Sequence, residues 1–99
     1  MLTSLPQTFE LHQNYPNPFN PSTTISFTMP AASPVSLNIY NMLGQKVKTL
    51  INDSVLSPGT HEIRWDGHDD EERQVSSGIY IYRICTSNEI KARKMVLIK

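Results

Sequence analysis

Apolar and polar residues alternate with a period of two along most of the chain, the pattern of strands that bury one face. Thr23-Thr24-Ile25-Ser26-Phe27-Thr28-Met29 puts Ile25, Phe27 and Met29 on one face and Thr24, Ser26 and Thr28 on the other. Val35-Ser36-Leu37-Asn38-Ile39-Tyr40 repeats this with Val35, Leu37 and Ile39 inward. Asn41-Met42-Leu43-Gly44 reads as a hairpin loop whose glycine can take positive φ. Residues 45–51 then return antiparallel with Lys46 and Lys48 guarding an edge. Residues 60–66 place His61, Ile63 and Trp65 together. Residues 79–85 form the most β-prone run. Arg83 belongs in water, so Tyr80, Tyr82 and Ile84 point inward and Ile81 and Cys85 outward. Residues 90–98 make the last strand, with Met95 and Leu97 assigned inward. A shorter alternation over 9–13 predicts an edge strand. Residues 30–34, 52–54, 57–59 and 87–89 carry turn residues and predict loops. Seven short strands without helical periodicity predict an all-β, antiparallel seven-stranded sandwich. Residues 1–8 are polar and turn-prone and predict a linker before a single domain over 9–99.

One stretch departs from the alternation. Asn14-Tyr15-Pro16-Asn17-Pro18-Phe19-Asn20-Pro21-Ser22 holds three prolines within six positions. Each proline fixes its own φ, removes a backbone donor and drives the preceding residue toward extended geometry. The asparagines between them can close local turns through their side chains. The segment is therefore expected to be stiff and kinked, with Tyr15 and Phe19 as apolar pegs that fasten the first strand to the core. Pro18 and Pro21 also match the spacing of a proline-rich peptide ligand; the adjoining strand and the aromatic pegs favour packing on its own domain.

Size and charge narrow the function. Ninety-nine residues allow one core that buries roughly 60–65% of the unfolded surface. Nine cationic and nine anionic side chains balance, so no global field draws the domain to nucleic acid or an anionic membrane. No apolar run approaches the roughly 18–20 residues that span a bilayer, so no transmembrane segment is expected. The first six residues lack a secretory signal's basic start and apolar core, so an exported parent would carry its signal elsewhere. Cys85 is the single cysteine, which excludes an internal disulfide and a cysteine-rich zinc site.

Candidate chemistry is sparse, and no cofactor is implied. Asp66, Asp69 and Asp70 in the run 66–72 could contribute to an oxygen cage for calcium, but the alternation of a calcium-binding loop is missing and a solvated turn accounts for the charges. His12, His61 and His68 fall in three segments, with His61 expected at the core edge near Trp65. Cys85 has no local base beside it. Tyr40, Trp65 and Tyr82 could offer a sugar-stacking platform, yet the strand parity turns Trp65 and Tyr82 inward. Gly78-Ile79-Tyr80 resembles the start of a sandwich strand whose tyrosine hydroxyl bonds upstream backbone.

Several of these pieces occur in the order of a known family. Residues 11–25, with Asn14-Tyr15-Pro16-Asn17-Pro18-Phe19-Asn20-Pro21 at their centre, resemble the opening of type A C-terminal sorting domains of the Bacteroidetes type IX (Por) secretion system. The resemblance continues through Val35 to Asn41 with Gly44, then Val47 and Leu50, Gly59-Thr60-His61, Trp65-Asp66-Gly67, Ser77-Gly78-Ile79-Tyr80 and Lys94-Met95-Val96-Leu97-Ile98-Lys99. It covers residues 9–99 and implies an Ig-like sandwich, a fold shared with flagellar hook-capping proteins. It also implies a non-catalytic address on an exported parent with its own catalytic or binding domain upstream. After periplasmic transit, an outer-membrane translocon would recognise the domain and a sortase-like peptidase would remove it, leaving the parent secreted or on the cell surface. Recognition elements of the family map to Gly78, Tyr80, Lys94, Met95, Val96, Leu97, Ile98 and Lys99. The family often has Asn-Gly and then proline after Asp66-Gly67; here Glu71-Glu72 and Gln74 stand there, so loss of a tight turn and a more mobile loop are expected. An accessory carbohydrate-binding module and a structural Ig-like domain of a cell-surface enzyme are the alternatives.

Overall fold

The computed structural model describes residues 8–99; the linker expected over residues 1–8 lies, apart from Thr8, outside the described residues. Seven strands follow in order: β1 (Glu10–Leu11), β2 (Thr23–Met29), β3 (Ser33–Tyr40), β4 (Lys46–Leu56), β5 (Gly59–Trp65), β6 (Gly78–Cys85) and β7 (Ile90–Leu97). Strands β1-β2-β5 make a three-stranded sheet and β4-β3-β6-β7 a four-stranded one, antiparallel throughout. The connections β2–β3, β4–β5 and β5–β6 pass from sheet to sheet, closing a seven-stranded sandwich.

The alternation read from the sequence sets the core. Ile25, Phe27 and Met29 of β2 join Val35, Leu37 and Ile39 of β3, Tyr80, Tyr82 and Ile84 of β6, and Met95 and Leu97 of β7 in one buried cluster. Lys46 and Lys48 lie on β4, an edge strand.

Two boundaries differ from expectation. β4 runs through Asn52, Asp53 and Ser54, which read as a loop. Their turn chemistry goes instead into a bulge: the β3–β4 register shifts between Val35 and Leu37. Asp53 takes φ 49°, and its N–H donates to Ser36 Oγ (3.1 Å). β3 begins at Ser33 and includes Pro34. β6 reaches β3 only from Ser36, opposite Cys85, so at Pro34 the strand is locally an edge and the missing N–H costs no ladder bond.

The proline segment changes sheets. His12 N–H donates to Ser26 O (3.0 Å), and Tyr15 and Thr24 exchange both backbone bonds (3.0 and 2.9 Å), extending the line beside β2. By Phe19 the chain lies against β7 in the other sheet, paired parallel at Leu97. Phe19 is buried as expected, but Tyr15 is 80% exposed and is no core peg. Residues directly opposed in an antiparallel pair share a face, and Thr24 faces away from the core, so Tyr15 does too.

Candidate recognition surface

The motifs spread along the sequence meet at one end of the sandwich. The Phe19 ring packs on Trp65 (centroids 5.7 Å apart, 55° between planes), and Trp65 meets Tyr80 edge-on (5.6 Å, 71°). Trp65 Nε1–H donates to His68 O (2.9 Å), and the Tyr80 hydroxyl donates back to Ser76 O (2.6 Å), the upstream bond expected for it. Gly67 (φ 81°) lets the chain pass close to the proline segment: a Cβ there would stand 3.1 Å from Pro21 O. Trp65 and Gly67 therefore each meet the proline segment, Trp65 at Phe19 and Gly67 at Pro21.

Asn14 is 2% exposed and fully engaged. Its N–H donates to the Tyr82 hydroxyl (2.9 Å), and Nδ2 donates to Thr23 Oγ1 (3.0 Å) and Pro16 O (3.2 Å). Oδ1 accepts from Gln13 Nε2 (2.6 Å). The Tyr82 hydroxyl in turn donates to His12 O (2.6 Å). Burial raises the Tyr82 pKa above the ordinary 10.0, against the lowering hydrogen bond from Asn14 and the charge of Arg93. The strand parity turns Tyr82 inward without naming a partner for it; the signal that could have found its role is that an inward tyrosine needs a partner for its hydroxyl.

β7 splits by parity. Met95 and Leu97 are buried, while Lys94, Val96 and Ile98 alternate outward. The proline segment covers the outer edge of this half. Phe19 N–H donates to Val96 O and Ile98 N–H to Phe19 O (both 2.9 Å). Val96 N–H donates to Asn17 Oδ1 (2.9 Å), and Gln13 Nε2 donates to Lys94 O (2.9 Å). On the other side Lys99 N–H donates to Ser77 Oγ (3.1 Å). Earlier in β7, Arg93 Nε donates to Leu11 O (2.7 Å) and Lys91 Nζ lies 5.7 Å from the Phe9 ring centre, so both cations turn toward β1. Of the residues mapped to recognition, Tyr80, Met95 and Leu97 are thus interior. Gly78 (φ 154°) opens β6 opposite Leu97, and Lys94, Val96, Ile98 and Lys99 remain accessible to different degrees.

The acidic loop keeps a tight turn despite lacking Asn-Gly. Glu72 adopts φ 65° in the glycine's stead, and its N–H donates to Asp69 O (3.0 Å). Asp69 Oδ1 accepts the N–H groups of Glu71 and Arg73 (both 2.9 Å), and Oδ2 lies 3.1 Å from Arg73 Nε. The Arg73 backbone bond leads the causes that hold Asp69 below the ordinary 3.8. Burial pushes Asp66 up, but hydrogen bonds from His68 and its charge bring the carboxyl lower overall. Asp70 N–H donates to Val47 O (3.0 Å), and Asp70 Oδ1 accepts from Thr49 N–H (3.0 Å), tying the loop to β4. Asp66, Asp69 and Asp70 face different backbone donors, and among the described residues no three His, Cys, Asp or Glu side chains converge on a metal position.

The histidines stay apart. His12 Nε2 lies 3.0 Å from Thr28 Oγ1, and His61 stacks on Phe27 (5.5 Å, 24°) rather than near Trp65. The β2–β5 register explains this: His61 stands opposite Phe27, whereas Trp65 stands opposite Thr23. Trp65 and Tyr82 are buried and unavailable for stacking a sugar. Among the described residues no helix is long and apolar enough to cross a membrane.

The family profile described as "Secretion system C-terminal sorting domain" matches residues 13–99. The chain belongs to this family. Solved structures place the fold. Dimeric latent PorU from Porphyromonas gingivalis superposes with a TM-score of 0.73 at 22% identity, over 94% of this chain and 9% of that one. PorZ from the same organism, described as a surface component of its type-IX secretion system, gives 0.60 at 20% over 90% and 11%. FlgD from P. aeruginosa gives 0.59 at 26% over 76% and 57%. The sorting domain thus spans about a tenth of PorU and PorZ, and among curated proteins no relative matches it.

Proposed function

We propose that this domain is the non-catalytic address of a larger exported protein, read by the outer-membrane translocon of a type IX system after periplasmic transit. Membership of the sorting-domain family over residues 13–99 carries the reading. The PorU and PorZ likenesses support the fold it requires. The address would be a folded surface. Buried Met95 and Leu97 and the bonds from Asn17 and Phe19 hold the last strand rigid. Direct contact would then fall to Lys94, Val96, Ile98 and Lys99, while Gly78, Tyr80, Met95 and Leu97 act by shaping that strand and its neighbour. Removal by a sortase-like peptidase, and retention of the parent at the cell surface, follow as later steps of the same reading.

The test fuses residues 9–99 to a periplasmic reporter in a host with a working type IX system. Surface or extracellular reporter is expected; complete retention in the periplasm, with the domain folded, overturns the reading.

A further inference from the structure

The zero net charge hides a division between faces. Strands β3, β4, β6 and β7 carry Lys46, Lys48, Arg83, Lys91, Arg93 and Lys94 against one carboxylate, Asp53. Five of the nine acidic residues sit instead in the 66–72 loop. Lys91 and Arg93 turn toward β1, and Lys48 pairs with Glu72 (3.8 Å). That leaves Lys46, Arg83 and Lys94 as the outward cations of the four-stranded sheet.

The register places an apolar centre among them. Lys46, Tyr40, Ile81 and Lys94 form one row across β4, β3, β6 and β7, and Ile79 and Val96 stand together in the next outward row. Ile79 is 42% exposed, and Ile98 beyond it 50%. The Arg83 guanidinium lies 5.5 Å from the Tyr40 ring centre and closes the third side. Exposed Met42 and Leu43, on the β3–β4 turn, stand at this same end. Single exposed apolar side chains need no explanation, but a contiguous group flanked by Arg83 and Lys94, with Lys46 between it and the acidic turn that is tied to β4 at Val47, marks a contact surface.

We propose that this outward face, centred on Ile79 and Val96 and rimmed by Lys46, Arg83 and Lys94, docks on an apolar protein surface with an acidic rim in the secretion machinery. The inference rests on the sorting reading and adds the surface and the partner's chemistry. Charge complementarity selects the partner: an acidic rim meets the three cations and steers encounter, while the apolar centre supplies burial. The sequence separates these residues over three strands, and only the register assembles them.

The test uses the residue 9–99 reporter fusion with Ile79→Glu, Lys94→Glu, Lys94→Arg and, as an exposed apolar control at the sheet's far end, Val55→Glu. Thermal unfolding of each purified domain identifies the folded variants that are compared. Export is expected to fall at least about tenfold for Ile79→Glu and Lys94→Glu, as for the loss of an interface anchor, and to hold for Lys94→Arg and Val55→Glu. An exported parent fusion with all four variants exported equally overturns the docking surface and leaves the sorting reading intact. A parent fusion that is not exported overturns both. Two further outcomes also overturn a protein partner: binding to vesicles of three parts phosphatidylcholine to one part phosphatidylglycerol that Lys94→Glu abolishes, or self-association in sedimentation that the same change abolishes.

Discussion

At the scale of single residues, positive φ alone does not set how much a glycine matters. Gly44 and Gly67 share φ 81°, yet a Cβ on Gly44 meets nothing within 4 Å while one on Gly67 meets Pro21 O at 3.1 Å. Gly44→Ala is expected to cost about 1 kcal/mol, the left-handed penalty alone. Gly67→Ala is expected to cost about 2–3 kcal/mol, because the proline segment must also shift; urea unfolding of both variants checks the difference. Tyr82→Phe keeps the ring but strips partners from Asn14 N–H and His12 C=O, at about 1–3 kcal/mol. It also removes a pH dependence. The unfolded chain releases the tyrosine proton near 10.0 while burial keeps it bound in the folded state, so Tyr82 contributes stability that is full below that pH and declines as pH rises through the raised folded value. Alkaline melts of the wild type should lose stability over that range more than those of Tyr82→Phe.

At the scale of elements, the loop 66–77 keeps a tight turn that its sequence does not announce, and strand β7 is as much core as surface. Glu72 occupies a left-handed position suited to glycine, and among the described residues its ion pair is a long one of 3.8 Å from an exposed carboxylate to Lys48, worth little. Glu72→Gly is therefore expected to raise stability by about 0.5 kcal/mol, seen as a higher urea midpoint. Asp66 and Asp69 are lowered in the folded state, so their contribution is present above the ordinary 3.8 and is lost as pH falls below it through the folded values. Asp69→Asn should flatten that acid limb in pH-dependent melts. Deleting residues 94–99 would remove the buried Met95 and Leu97 and the partners of Phe19 and Asn17. Loss of cooperative unfolding by circular dichroism is the expected result, so such a truncation tests folding rather than recognition, and point changes on the outward face are needed instead.

At the scale of the molecule, the two ends of the chain make one structure. The proline segment covers the edge of β7, and the two meet the Trp65-Gly67 corner, the segment through Phe19 and Pro21 and β7 through Leu97. A segment that begins the domain and a strand that ends it are thus parts of a single surface, which is why the stretch richest in sequence signal and the stretch assigned to recognition cannot be varied independently. The charges divide similarly, with cations on the four-stranded sheet and acids in the loop at its end.

The alternation by itself determined which faces of β2, β3 and β6 are buried, because a period of two leaves little freedom once one polar residue such as Arg83 is assigned to water. In β7, where Met95, Val96, Leu97 and Ile98 are all apolar, the packing against the other sheet settles that Met95 and Leu97 face inward. The ordered motifs determined the family. Tertiary structure alone decided that Tyr15 faces solvent, because its side is set by the Thr24 it pairs with and not by its own hydrophobicity. It also decided that Asn52-Asp53-Ser54 form a bulge within β4, since a turn-prone run beside a partner strand can give up one ladder position instead of ending it. The edge of β7 at Val96 is closed in the fold by hydrogen-bond partners about eighty residues away, at Asn17 and Phe19, a pairing no local pattern encodes.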